Sequence, residues 1–154
     1  ISTIISKYNL EKYIILFPFA SQHLKSKIWP YYNDLINLIN SRYKNEFKIV
    51  VSPGPNEIND AKKINALCIL DNNKALNISQ LSTLIQSSSF VVANDTGPAH
   101  MAAHLNVKGL TLFGSHKSAF LQSIEREKFK AVQVSDLNKL SPEKVFEYFI
   151  KSVN

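Results

Sequence analysis

Short runs of apolar residues alternate along this chain with longer segments in which apolar and polar residues recur at helical spacing. Six of the short runs are rich in Ile, Val, Leu and Phe, and each is followed within two residues by Pro, Gly, Asn or Asp. Such continuous apolar runs are typical of parallel strands that are buried on both faces of a sheet. The predicted strands cover residues 13–17, 47–51, 67–70, 90–93, 109–113 and 131–134.

The longer segments predict helices. Asn77 and Gln80 have the spacing of a capping box, and Ser141 followed by Pro142 marks the start of the last helix. Apolar residues at helical spacing define one buried stripe on each of three helices. The stripes are Tyr32, Leu35, Ile36, Ile39 and Tyr43; Leu81, Leu84 and Ile85; and Val145, Phe146, Phe149, Ile150 and Val153. Shorter helices are expected up to about residue 65 and over residues 119–126.

The alternation of strands and helices predicts right-handed βαβ units. The expected fold class is α/β: a Rossmann-like, three-layer α/β/α domain with a six-stranded parallel sheet, covering residues 13–154. Residues 1–12 are expected to be a linker or a short element packed on another part. Open sheets of this kind bind ligands beyond the carboxyl ends of their strands. The loops to consider are 18–27, 52–57, 71–78, 94–98 and 114–118.

The turn after the fourth strand has the features of an anion site. Asn94-Asp95-Thr96-Gly97 is a cluster of turn formers and helix caps, and Pro98 suits the first helical position. The N–H groups of Thr96 and Gly97, with the positive end of the helix dipole, would face an anion such as phosphate. The alternative is an ordinary capped helix start without a ligand.

Composition and charge narrow the possibilities. The 154 residues suit one domain, and the formal charge is +6, with sixteen lysines spread along the chain. This spread favours a solvated surface over a nucleic-acid interface, although a weak attraction to anionic lipid or acidic glycolipid stays open. Cys68, the one cysteine, is expected to be a buried apolar residue. No membrane span or signal segment is visible, which indicates the cytoplasm. The first residue is Ile1 rather than Met, so a processed or excised piece is expected.

The string Asp95-Thr-Gly-Pro-Ala-His-Met-Ala-Ala103, with Leu112-Phe113-Gly114 after the next strand, resembles the signature of glycosyltransferase family nine. These enzymes are the ADP-heptose:lipopolysaccharide heptosyltransferases and their relatives. The resemblance implies one half of a GT-B type glycosyltransferase, namely its C-terminal, donor-binding domain. After Gly114 the family usually continues with Pro-Thr, whereas Ser115-His116 stands here.

The resemblance extends to residues that would hold the nucleotide. Lys27-Ile28-Trp29-Pro30 is similar to the family's Lys-x-Trp-Pro element, which implies that Lys27 and Ser21 contact the donor phosphates. Residues 53–57 look like its Gly-Pro-x-Glu turn, which implies that Glu57 accepts hydrogen bonds from the ribose. A helix start would also favour the charge of Glu57. Leu76 and Asn77 would hold the adenine through backbone atoms.

The same resemblance assigns roles near the transferred sugar. Asp95 would hold the turn or accept a hydrogen bond from a sugar hydroxyl, since it would repel phosphate directly. His100 would donate to phosphate or sugar, and the alternative is a structural histidine. Pro98 belongs to the same turn.

The implied activity is inverting transfer of a sugar, with heptose expected, from an ADP-sugar to a lipopolysaccharide-core-type glycolipid. No catalytic residue is expected in this chain, because the family's base is an aspartate of an N-terminal acceptor domain. No metal or other cofactor is expected either. The expected partners are therefore the ADP-sugar, the glycolipid and that domain, with no nucleic acid. The expected location is the cytoplasm, with at most peripheral contact at the inner face of the inner membrane.

Two alternatives come from other classes of protein. The chain could be a stand-alone nucleotide-binding module without catalytic activity, the remnant of a glycosyltransferase. It could also be a dinucleotide-dependent oxidoreductase domain, but its first strand turn lacks Gly-x-Gly-x-x-Gly and the whole chain has four glycines.

Overall fold

A parallel sheet organises the chain. The computed structural model describes residues 3–20, 27–114 and 124–154, and in these ranges six strands pair in the order β3-β2-β1-β4-β5-β6. The order reverses between β1 and β4, as in dinucleotide-binding Rossmann domains. The predicted fold class is confirmed. The strands are β1 Tyr13–Phe17, β2 Lys48–Val51, β3 Leu67–Cys68, β4 Phe90–Asn94, β5 Gly109–Phe113 and β6 Phe129–Gln133.

Helices cover both faces of the sheet and form two apolar cores. Helices α2, α3 and α6 pack on one face, and α1, α4 and α5 pack on the other. The predicted helix over residues 119–126 falls largely outside the described residues. The helices are α1 Thr3–Lys7, α2 Tyr32–Tyr43, α3 Ile58–Ala61, α4 Ile78–Gln86, α5 Gly97–His104 and α6 Pro142–Val153, with a 3-10 turn at Leu137–Lys139.

The third strand is shorter than predicted, because a side chain takes the place of a strand partner. The hydroxyl of Tyr8 donates to the carbonyl of Leu70 at 3.0 Å and accepts from its N–H at 3.2 Å. Beyond Leu70 the chain turns through Asn72 and Asn73, whose φ angles are 49° and 65°. Such positive φ angles are tolerated by Asn and do not continue a strand.

The segment before β1 contributes to the core. Ile4 and Leu10 are buried beside Leu84 and Ile85 of α4. Together with the bonds of Tyr8, these contacts attach the segment to the edge of the sheet. A polar group that occupies the end of an edge strand also limits its pairing with another chain.

The sixth strand begins two residues earlier than predicted, at Phe129, which pairs with Gly109 of β5. A Cβ at Gly109 would lie 2.5 Å from Cε1 of Phe129 and 2.6 Å from the carbonyl oxygen of Val91. Gly109 is therefore required for close packing, and its absent side chain makes room for the Phe129 ring.

We expect Gly109→Ala to lower the free energy of unfolding by about 1–3 kcal/mol, because the added methyl group overpacks the site beside Phe129. Denaturant unfolding measures the change. Gly97→Ala is the matched control, since a Cβ at Gly97 meets nothing within 4 Å. Equal losses of stability in the two variants would contradict this packing argument.

Stability is also expected to fall at alkaline pH. Burial raises the pKa of Tyr13 to about 12 and raises that of Tyr32 well above its usual range. The unfolded chain releases these protons near pH 10 whereas the folded chain keeps them. For Tyr13, the stabilisation is thus complete below pH 10 and is lost between pH 10 and about 12, by up to about 1.4 kcal/mol per pH unit. Urea unfolding measures the free energy of unfolding at each pH in this range. This free energy should fall less steeply with pH for Tyr13→Phe than for the unmodified chain, and identical slopes would refute the prediction.

Candidate functional site

A cleft with a volume of about 230 Å³ opens beyond the carboxyl end of β4. It lies beside the point where the strand order reverses, which is the position expected for a ligand in an open α/β sheet. Five of the residues predicted from the sequence line it together: Lys27, Asp95, Thr96, Gly97 and His100.

The start of α5 forms one wall of the cleft. Thr96 is the extended residue that precedes the helix, with φ −145° and ψ 171°, and its hydroxyl donates to the carbonyl of Asn94 at 3.3 Å. The helix begins at Gly97, so Pro98 occupies the second helical position, one later than predicted. The N–H of Ala99 donates to the carbonyl of Thr96.

The donors available at this helix end follow from those bonds. Pro98 has no N–H, and the N–H groups of Ala99 and His100 both donate to the carbonyl of Thr96, at 3.1 and 3.3 Å. The amides of Thr96 and Gly97 are therefore the groups that this end can offer to an anion.

Gly97 is not required by the backbone. Its φ is not positive, and a side chain built there meets open space. Because glycine has no side chain, a ligand can approach the amides at this helix start closely.

Three charged or titratable side chains meet in the cleft. The Oδ2 atom of Asp95 lies 3.5 Å from the Nζ of Lys27, and its Oδ1 atom lies 3.8 Å from the Nε2 of His100. The Asp95 side chain is 7% exposed, whereas those of Lys27 and His100 are 22% and 39% exposed. Asp95 is thus a buried carboxylate that orients two more exposed donors.

Sequence reasoning placed Asn94 in the turn but missed the role of its side chain at this site. Its side chain is fully buried, and Oδ1 accepts from the backbone N–H of Trp29 at 3.3 Å and from the hydroxyl of Tyr32 at 2.9 Å. Its Nδ2 donates to the carbonyl of Phe19 at 3.4 Å. The available signal was an amide side chain at the end of a strand whose other members are all apolar.

Trp29 anchors the segment that carries Lys27. Its side chain is 1% exposed, and its indole N–H donates to the carbonyl of Leu140 at 2.7 Å. Since Trp29 is also bonded to Asn94, the backbone two residues after Lys27 is held between β4 and the start of α6.

Glu57 closes the turn that follows β2. Its Oε1 accepts from the N–H of Gly54 at 2.9 Å, and its own N–H donates to the carbonyl of Gly54 at 3.0 Å. The carboxylate therefore has a structural function at the carboxyl edge of the sheet. Its interaction with a ribose stays a prediction.

Leu76 and Asn77 lie at the same edge, after β3, and do not line the cleft. Asn77 and Gln80 form the predicted capping box, with bonds of 2.8 and 2.9 Å, and the carbonyl of Asn77 accepts from Leu81. Both backbone groups of Asn77 are thus engaged. Within the described ranges, the amide and carbonyl of Leu76 make no hydrogen bond.

Some expectations fall on residues that the structure does not describe. Ser21 and residues 115–118 lie outside the described ranges. Among the residues inside them, no group of three or more His, Cys, Asp or Glu side chains is arranged to hold a metal ion. None of the helices in those ranges is long and apolar enough to cross a lipid bilayer.

Comparison with known proteins gives a family. The sequence profile of Glycosyltransferase family 9 (heptosyltransferase) matches residues 5–147. No curated protein matches the sequence.

Solved structures share the fold at low sequence identity. The heptosyltransferase WaaC of E. coli, solved with ADP-2-deoxy-2-fluoro heptose, is 18% identical with a TM-score of 0.75, and the match covers 93% of this chain and 44% of that one. ADP-heptose lps heptosyltransferase II of E. coli is 19% identical with a TM-score of 0.75, over 97% of this chain and 50% of the other. The UDP-GlcNAc 2-epimerase of Methanocaldococcus jannaschii, with UDP-GlcNAc and UDP, is 15% identical with a TM-score of 0.67, over 100% of this chain and 42% of the other. The chain thus spans half or less of the length of these proteins.

Proposed function

The chain belongs to glycosyltransferase family 9, and from this premise we propose that it is the donor-binding half of a heptosyltransferase-like enzyme. It would bind an ADP-sugar for inverting transfer to a glycolipid acceptor. One observation carries the proposal: the start of α5, which no side chain of the described residues caps at Thr96, shares one cleft with Lys27 at the switch point of the sheet.

The diphosphate fits the Thr96–Gly97 end of α5. The two amides can donate to phosphate oxygens, and the helix dipole adds positive potential at the same place. Lys27 faces this helix end across the cleft and supplies a full positive charge. By its resemblance to the family's element, Ser21 would add a hydroxyl donor.

The order of the strands supports an order of binding along the edge. Thr96 follows β4, Lys27 follows β1, Glu57 follows β2 and Leu76 follows β3, and these four strands are successive neighbours. Neighbouring strands are about 4.8 Å apart, so the four span about 14 Å. A diphosphate over β4 and β1, a ribose near β2 and an adenine near β3 would follow this row.

Glu57 and Leu76 have groups suited to these parts of the donor. The turn bond of Glu57 uses Oε1, and a carboxylate has further acceptor sites for ribose hydroxyls. Leu76 offers an amide donor and a carbonyl acceptor to the edge of an adenine, while the capping box of Asn77 keeps this backbone in place.

Asp95 and His100 would act beside the transferred sugar. Asp95 can accept from a sugar hydroxyl, and the nearby Lys27 offsets its repulsion of phosphate. Pro98 keeps the helix start free of a further N–H and shapes the same turn. E. coli WaaC, which was solved with an ADP-heptose analogue, supports heptose as the transferred sugar.

The chemical step would need a second domain. Lys27 and the α5 amides can stabilise the charge of the departing ADP without a metal ion. A general base on the acceptor hydroxyl would come from an N-terminal acceptor-binding half, since the matched heptosyltransferases are about twice as long as this chain. The reaction would take place in the cytoplasm, with the glycolipid presented at the inner face of the inner membrane.

We expect Lys27→Ala to weaken ADP binding about tenfold to a hundredfold, because a charged contact is lost and Asp95 is no longer neutralised. Titration calorimetry of the full chain measures the affinities for ADP and for adenosine. The affinity for adenosine should not change, because adenosine has no phosphate. Lys63→Ala is the matched control, since that side chain is 81% exposed and pairs with Asp60 away from the cleft. Equal ADP affinities for Lys27→Ala and the unmodified chain would remove Lys27 from the site.

Gly97→Ala is expected to weaken ADP binding about tenfold or more while leaving thermal unfolding unchanged, because its methyl group would occupy space that the fold leaves open but the diphosphate needs. Binding and unfolding are measured on the same preparation. Unchanged ADP affinity would show that the diphosphate does not approach this helix end.

A further inference from the structure

A buried amide connects the two elements of the proposed phosphate site. The side chain of Asn94 bonds to Phe19, Trp29 and Tyr32, and its backbone carbonyl accepts from the hydroxyl of Thr96. We propose that Asn94 is a positioning residue that sets the location of Lys27 relative to the start of α5. This inference rests on the proposed function in so far as Lys27 contacts a diphosphate.

The chemistry of the bonds requires an amide at this position. Oδ1 accepts from Trp29 and Tyr32 while Nδ2 donates to Phe19, so one side chain must both accept and donate. A carboxylate could not donate, and an aliphatic side chain could do neither. The residue is 0% exposed, so bulk water cannot replace the lost bonds.

The hydrogen bonds of the Asn94 side chain reach residues on both sides of Lys27 in the sequence. Phe19 lies just beyond the end of β1, and Trp29 lies two residues after Lys27, so Asn94 ties that segment to the strand that leads into α5. The next residue, Asp95, holds the Lys27 ammonium at 3.5 Å. Two adjacent residues therefore hold the backbone and the side chain of one segment.

The same residue also orients the opposite wall. The Thr96 hydroxyl donates to the Asn94 carbonyl instead of capping the helix, and the hydroxyl of Thr111 lies 3.5 Å from that carbonyl on the β5 side. Loss of the Asn94 side chain would leave its backbone contact with Thr96 in place and release the Lys27 segment, so that the two elements would shift relative to each other. The backbone of Asn94 thus contacts one wall of the cleft, while its side chain contacts the segment that carries Lys27.

A purely structural role makes a different prediction. Trp29 has an independent anchor, because its ring is buried and its indole N–H bonds to Leu140. If Asn94 only stabilised the fold, its loss would lower stability and leave Lys27 in place. If it positions Lys27, its loss changes the environment of that amine in the folded protein.

The test measures the acylation rate of each lysine in the folded full chain by acetic anhydride labelling and mass spectrometry. In Asn94→Ala we expect Lys27 to react severalfold faster, because its ion pair with Asp95 is loosened. Lys108, which donates to the Val153 carbonyl on the opposite edge of the sheet, serves as the internal control and should keep its rate. Circular dichroism establishes that the variant is folded, and an unchanged Lys27 rate in a folded variant would overturn the proposal.

Two further variants separate positioning from stability. Tyr32→Phe removes one bond to the same Oδ1 but keeps the link to Trp29, so it should lower stability without changing the Lys27 rate. Asn94→Asp keeps the acceptor for Trp29 and Tyr32 but replaces the Nδ2 donor to the Phe19 carbonyl with an oxygen that cannot donate. We therefore expect a Lys27 acylation rate between those of the unmodified chain and Asn94→Ala. If Asn94→Ala does not fold, Asn94→Asp decides, and a rate equal to that of the unmodified chain refutes the inference.

ADP binding supplies the second readout. Asn94→Ala should weaken ADP binding about tenfold, and it should add little in a Lys27→Ala background, because both changes act through one contact. Additive losses in the double variant would count against the proposal. If the unmodified chain binds no ADP, the proposed function fails, while the labelling of Lys27 still decides whether Asn94 positions it.

Discussion

The parallel pairing of β1 with β4 is the constraint on which the site depends. Leu16 pairs with Val92 and Phe17 with Ala93, so β4 extends one residue, Asn94, beyond the end of β1. Because the chain leaves β1 towards one face of the sheet and leaves β4 towards the other, a crevice forms between the two connections. The Lys27 segment and the start of α5 face each other there.

The electrostatics of the cleft follow from a buried carboxylate. Asp95, 7% exposed, holds Lys27 and His100 at 3.5 and 3.8 Å. A site for a nucleoside diphosphate needs positive charge, and the ammonium of Lys27 supplies it beside the helix amides. Asp95 keeps both donors near the helix amides, and this explains how a carboxylate can belong to an anion site.

Much of the fold and part of the site could be predicted from single residues and their spacing. The apolar runs located all six described strands, and Asn77 with Gln80 formed the capping box that their spacing indicated. Lys27 and Gly97, seventy residues apart, do line one cleft. Sequence patterns did not locate the end of β3, because a hydroxyl from before β1, that of Tyr8, bonds to Leu70. They also missed the role of the Asn94 side chain, whose three partners lie 62 to 75 residues away.

The sequence by itself determined what depends on near neighbours: which runs extend, which segments form helices, and where a helix start exposes amides to an anion. These properties follow from local sterics, capping and apolar periodicity, which act over a few residues. Only the tertiary structure decided which distant side chains meet, namely that Asn94 binds Trp29 and Tyr32 and that Asp95 pairs with Lys27. Those contacts depend on strand order and on burial, because a buried donor or acceptor must find a partner wherever the folded chain supplies one.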